Sequence, residues 1–148
     1  MHRFPGRAVA ALFALVALTL TACDTAGGAA GPDPAADGDW ILVSGHGPDG
    51  EIEVVSGHEP TLTVDGFEVS GHGGCNHFGT ATAEGEEDQQ PDQWPTEFVS
   101  TMMACDPPEV MDQESQLLTA MRQIQDVQAD GDELVLTGPD TELRFERV

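Results

Sequence analysis

Apolar and polar residues alternate with a period of two through much of the chain beyond residue 40. In Thr61-Leu62-Thr63-Val64 and Phe67-Glu68-Val69-Ser70 the alternation runs on both sides of Asp65-Gly66. A two-residue turn between two such runs predicts a β-hairpin, with Val64 opposite Phe67 and Leu62 opposite Val69 and all four on one buried face. The C-terminal stretch repeats the design. Val127, an Asp130-Gly131 turn, Leu134 and Leu136, a Gly138-Pro139-Asp140 turn, then Leu143 and Phe145 predict a three-stranded meander. Residues 40–44, 51–55, 76–83 and 97–103 supply further strand candidates. Roughly eight short strands favour closure into a barrel, which removes exposed sheet edges.

One segment departs from this period. Val110, Leu117, Leu118, Met121 and Ile124 recur at helical spacing, with Glu109 in the first turn and Asp106 as the expected cap ahead of Pro107 and Pro108. The apolar stripe is expected to pack on the sheet. Residues 84–93, polar, acidic and turn-prone, read as an exposed hairpin loop. The fold class is therefore mainly β: a small antiparallel barrel-like domain of about eight strands with one α-helix.

The N-terminus has a different pattern. Arg3 and Arg7 precede an uncharged run from Ala8 to Leu20, which ends in Leu20-Thr21-Ala22-Cys23. This is the form of a signal peptide over residues 1–22 with a lipobox, and the apolar run is too short to span about 30 Å of hydrocarbon as a helix. Lipobox chemistry places a diacylglyceryl group on the Cys23 sulfur and cuts the chain before it. The expected partner is then the membrane, held through acyl chains worth about 0.8 kcal/mol per buried CH₂. Residues 23–39, the acylated cysteine followed by a stretch of Gly, Ala, Pro, Asp and Thr, read as a flexible tether that lifts a domain spanning residues 40–148 off the lipid. The expected location is the bacterial cell envelope, with the domain outside the cytoplasm.

Charge narrows the partners. All 27 acidic residues lie beyond residue 22, where Arg122, Arg144 and Arg147 are the whole basic complement, so this part carries 3 − 27 = −24. Such a chain repels phosphate backbones and anionic headgroups, and nucleic-acid binding is not expected. The acidic excess serves solubility, or attracts cations or basic partners. With Cys23 lipidated, Cys75 and Cys105 remain in an exported chain and are expected to pair.

Candidate chemistry is sparse. Ser44-Gly45-His46, Ser56-Gly57-His58 and Ser70-Gly71-His72 repeat at unequal intervals and, with His77, invite a metal hypothesis. Tight ligand spacing is absent, so solvated histidines in turns are expected in place of a metal site, and the acidic loop lacks the spacing of a calcium loop. A nucleophile built on Cys75 and a histidine conflicts with the disulfide, and no Gly-x-Ser-x-Gly signature is present. Neither catalytic residues nor a cofactor is expected.

The segment Ser70-Gly71-His72-Gly73-Gly74-Cys75-Asn76-His77-Phe78-Gly79, with Ser100-Thr101-Met102-Met103-Ala104-Cys105 and the helix after it, resembles the META-domain family, also called HslJ-like. Glu142-Leu143-Arg144-Phe145-Glu146 is similar to that family's closing strand. Gly74, Cys75 and Asn76 match the first motif, and Thr101, Met103, Ala104 and Cys105 the second. The family often carries basic residues where His77 and Met102 stand here. The resemblance implies a small antiparallel barrel-like fold with one helix, common in envelope lipoproteins. It further implies association with heat-shock response and novobiocin resistance, with no established catalysis. The residues themselves give Gly73, Gly74 and Asn76 structural work, as glycines at a tight approach and an amide that satisfies backbone groups. The expected function is a lipid-anchored, non-enzymatic envelope or stress-related binding module for an unidentified protein or small molecule; a structural or protective envelope role is the alternative, ahead of metal binding or hydrolysis.

Overall fold

A computed structural model describes residues 34–81 and 93–148. Nine strands form one antiparallel sheet: β1 (Gly38–Gly47), β2 (Gly50–Glu51), β3 (Thr61–Asp65), β4 (Glu68–His72), β5 (His77–Thr80), β6 (Phe98–Ser100), β7 (Asp126–Asp130), β8 (Glu133–Gly138) and β9 (Thr141–Arg147). A single helix, α1 (Glu109–Met121), interrupts them after β6. The ladder order is β6-β5-β4-β3-β1-β9-β8-β7, with β2 hairpinned onto β1. The sheet is thus barrel-like in its packing but not closed, because the order ends at β6 and β7 without a ladder between them.

Alternation decides what the sheet buries. Trp40 and Leu42 from β1, Leu62 and Val64 from β3, Val69 from β4, Leu134 and Leu136 from β8, and Leu143 and Phe145 from β9 are all essentially inaccessible. Leu117 and Met121 of α1 close over them. Each such side chain contributes on the order of 1.5–3 kcal/mol by leaving water. The C-terminal meander has the anticipated face: Val127 pairs with Leu136, which pairs with Leu143, while Leu134 pairs with Phe145.

The first hairpin turns one residue later than expected, which moves each cross-strand partner by two. Val64 pairs with Val69 and Asp65 with Glu68, so the turn is Gly66-Phe67 and the Phe67 side chain is exposed. Gly66 takes the first central position with φ +58°, and Phe67 keeps a negative φ at the second. That is the combination of a II′ turn, in which glycine comes first. The same displacement recurs after β7, where Asp130 pairs with Glu133 and the turn is Gly131-Asp132. The strand candidates are also trimmed. Residues 52–55 leave the sheet after β2, β6 is only three residues long, and β1 extends to Gly47 with a bulge at Val43.

Asp106 does not cap α1. The N-cap is Pro108, without a side-chain hydrogen bond, and the first turn closes through Val110 N–H to Pro107 O (3.1 Å) and Met111 N–H to Pro108 O (3.0 Å).

Residues 34–39, expected to belong to the tether, hold a short 3-10 turn (Pro34–Ala36) and the first residues of β1. Ala36 is fully buried and its carbonyl accepts from Trp40 Nε1 at 2.8 Å. Arg147 fixes this entry. Its guanidinium lies 4.1 Å from the centroid of the Trp40 ring and donates to Asp37 O (3.1 Å) and Ala35 O (3.2 Å). Arg147→Ala is expected to cost about 1–2 kcal/mol. Arg147→Lys should recover little of it, because an ammonium does not reproduce the planar fork. Thermal melts of the two variants beside wild type measure this.

The expected signal peptide, Cys23, residues 24–33 and most of the expected acidic loop lie outside the described residues. Among the described residues no helix is long and apolar enough to cross a membrane.

Candidate functional site

The motif residues meet at one end of α1, around a feature that the apolar pattern hides. The buried stripe of the helix runs Val110, Gln113, Glu114, Leu117, Leu118, Met121, so a buried amide and a buried carboxylate occupy two positions of an otherwise apolar face. Polar groups there need partners, because each one left unpaired costs roughly 1–3 kcal/mol.

Glu114 binds the loop between β4 and β5. Its Oε2 accepts from the Asn76 backbone N–H at 2.6 Å and its Oε1 from Asn76 Nδ2 at 2.9 Å. Asn76 carries the connection onward to the segment after β6. Its Oδ1 accepts from Thr101 Oγ1 (2.8 Å) and Met103 N–H (2.7 Å), and Nδ2 also donates to Met103 O (3.2 Å). Both lone pairs and both protons of the amide are thereby used. Cys75 and Cys105 form a disulfide beside it, with Cα atoms 5.8 Å apart. Loop and segment are joined twice, once covalently and once through Asn76.

Gln113 serves a third chain segment. Its Oε1 accepts from Val55 N–H at 2.6 Å, while Nε2 donates to His58 O (2.9 Å) and Gly73 O (3.0 Å). The glycines make this approach possible. A Cβ on Gly73 would stand 2.5 Å from Glu114 Cγ, and one on Gly74, whose φ is +108°, would meet Gln113 Nε2 and lie 2.7 Å from His58 O. Two loops are thus stapled to one helical turn by an amide and a carboxylate, and the segment after β6 joins them through Asn76 and the disulfide. Thr101, Met103 and Ala104 are exposed along the outside of the staple.

The histidines divide differently from the expectation of turns. Among the described residues only His58 lies in a loop. His46 is in β1, in register with Glu51 of β2 and Glu142 of β9, and His72 of β4 pairs directly with His77 of β5. Gly45 and Gly71 are strand glycines, because a Cβ on Gly45 would stand 2.7 Å from Leu143 Cδ2 and one on Gly71 would press into Thr61 O. The His72 and His77 rings pack edge to face, 4.7 Å between centroids. His72 Nδ1 accepts from Gly74 N–H (3.1 Å), which leaves its ring proton on Nε2. Among the described residues no three His, Cys, Asp or Glu side chains converge as metal ligands do.

Beside the staple a groove of about 570 Å³ lies between residues 51–55 and the start of α1, lined by Glu51, Glu53, Glu109 and Asp112 with Val54, Gln113 and other neighbours. Its lining holds four carboxylates and no basic side chain. On the next loop, the Gly57 N–H bonds Glu59 Oε1 and, with the Glu59 backbone and the nearby His58, holds the Glu59 carboxyl below its ordinary value. Arg144, between Glu142 and Glu133, is held more firmly protonated by both.

A small open antiparallel sheet closed by one helix, with a Gly-Cys-Asn loop bonded to that helix and a disulfide to the Met-Ala-Cys segment, defines the class. The META-domain family model matches residues 33–148, and the chain belongs to that family. The fold is similar to the NMR structure of a protein from Burkholderia xenovorans, with a TM-score of 0.58, 26% identity, and coverage of 85% of this chain and 96% of that one. No curated protein matches.

Proposed function

We propose that this protein is a lipid-anchored META-domain protein of the bacterial envelope, working outside the cytoplasm as a non-enzymatic binding module. The observation that carries the reading is the use of the motif's polar groups. The Asn76 amide has four hydrogen bonds and Gln113 has three, all to the chain itself, so these groups act in building the domain. The ionisable groups lining the acidic groove are all carboxylates, with no histidine, cysteine or lysine among them to serve as a partner nucleophile or base. The Leu20-Thr21-Ala22-Cys23 sequence supports the anchor, and a chain bearing −22 overall has no use for a phosphate-rich surface as its target. A binding role leaves the partner to the outside of the sheet.

The anchor is tested through the Cys23 thiol. Wild-type chain is expected to take up radiolabelled palmitate and to sediment with membranes after a high-salt wash. Cys23→Ser should lose the label and appear in the soluble fraction, since stable attachment requires the acyl chains. Undiminished labelling of Cys23→Ser, or wild type that washes off in salt, would remove the lipoprotein reading.

A further inference from the structure

The two ends of the sheet are finished in different ways. At one end β7 carries Asp126 and Asp130 and has the Pro34–Ala36 turn packed on it. Charge and a covering segment are the usual means of keeping a sheet edge from pairing with other chains. The other end, β6, has neither among the described residues. From Phe98 to Cys105 the chain reads Phe-Val-Ser-Thr-Met-Met-Ala-Cys, with no charge and no proline.

Among the described residues no strand pairs with the outer side of this edge. Ala81 N–H bonds Glu97 O (3.2 Å) and Thr101 N–H bonds His77 O (3.0 Å), with Gly79 in register with Val99 between them. Antiparallel ladders alternate, so the N–H and C=O groups of Phe98 and Ser100 point away from β5. They have no hydrogen-bond partner among the described residues. Apolar side chains line the same run: Val99 is 59% exposed, Met103 54% and Met102 97%. Flexible thioethers suit a surface that accepts a second chain. The run is also held in place, because Asn76 binds both the N–H and the C=O of Met103 and the disulfide fixes Cys105. A pre-ordered edge reduces the entropy lost on docking.

Charge states what fits. Glu97 stands at one end of the uncharged run and Asp106 at the other, followed by Glu109. We infer that β6 and the run after it form a strand-addition site for an extended peptide segment with an apolar centre and lysine or arginine at both ends. Backbone bonds to Phe98 and Ser100 supply the pairing, Val99 and the methionines receive alternate side chains, and the flanking carboxylates receive the basic ends. A second copy of this chain fits less well, because it brings another strongly anionic surface to an edge framed by acids. The inference deepens the binding-module reading and rests on it for the existence of a partner. It does not depend on the anchor, whose failure is read separately by membrane partitioning.

The test uses purified full-length chain in a non-ionic detergent and a capped peptide of alternating valine and threonine between two Lys-Lys ends. Binding is followed by fluorescence anisotropy and amide NMR. The expected result is saturable binding, with shifted and slowly exchanging amides at Phe98 and Ser100 and none at β7. The same peptide N-methylated on alternate residues keeps its charge and loses its ladder donors, and should bind about tenfold more weakly or less. Ser100→Pro, which removes an edge donor, and Val99→Lys, which sets a cation on the edge without touching the core, should each weaken binding by a similar factor. Val99→Lys must melt like wild type, which keeps the test valid if Ser100→Pro fails to fold. Absence of binding, equal affinity for the N-methylated peptide, or shifts spread over the acidic surface would overturn the inference. So would a concentration-dependent dimer of wild type abolished by Val99→Lys, since that assigns the edge to a second copy.

Discussion

Asn76→Ala is expected to lower the unfolding free energy by about 3–4 kcal/mol, although it removes only a few atoms. The side chain is 3% exposed, and its loss leaves Thr101 Oγ1, the Met103 N–H and an oxygen of Glu114 each without the partner it has now. Two or three unsatisfied groups at roughly 1–3 kcal/mol each account for the size of the effect. Asn76→Asp is the sharper variant, since it preserves shape and puts an acceptor oxygen where the amide nitrogen donates to Glu114 Oε1 and Met103 O. A second carboxylate oxygen then faces Glu114 Oε1 across the 2.9 Å now spanned by a hydrogen bond. At an effective dielectric constant of 20 that repulsion is on the order of 5 kcal/mol, and the pair retains a proton to escape it.

The sign of the pH dependence follows. In the Asn76→Asp variant the folded-state pKa of the pair stands above its unfolded value. Below the unfolded value both states are protonated and the repulsion is absent. Above it the penalty grows by about 1.4 kcal/mol per pH unit, until the folded pair itself ionises. Asn76→Asp should therefore approach the stability of wild type near pH 4 and fall progressively behind it towards pH 8, while Asn76→Ala shows a constant deficit. Urea unfolding at several pH values separates the two. A flat difference for Asn76→Asp would mean that Glu114 does not face residue 76.

The meander and the helix were legible because their signals are apolar and periodic. Leu134, Leu136, Leu143 and Phe145 could occupy one face in only one way once the turns were found. The first hairpin turns one residue beyond the position that Asp65-Gly66 predicts, because a turn glycine can stand in either central position. Gly66 stands first, and the step leaves Phe67 in the turn. The apolar members of the helix stripe predict its face but pass over Gln113 and Glu114. Yet they sit three and four residues after Val110 and three and four before Leu117, where the period demands burial. A polar pair inside a helical stripe is the signal that could have found the staple. Its partners could not be read, because Asn76 and Glu114 are 38 residues apart and only the fold brings them together. The Ser-Gly-His units misled for the opposite reason. Glycine suggests a turn, but at Gly45 and Gly71 it answers a close approach between strands.

The disulfide and the Asn76 amide hold the same two pieces of chain, and their energies should be coupled. Replacing Cys75 and Cys105 together by serine opens a link across 30 residues. In the chain-entropy model that costs about 3.5 kcal/mol, or on the order of 15 °C in melting temperature for a domain of this size. The bond also holds Met103 within reach of Asn76. Once it is gone, part of the free energy of the Asn76 hydrogen bonds is spent on ordering residues 101–105. Asn76→Ala should accordingly cost less in the serine background than in wild type, with an interaction term of about 1 kcal/mol in the double-mutant cycle. Equal costs in the two backgrounds would show that the amide orders the segment unaided and that the disulfide acts only on the unfolded chain.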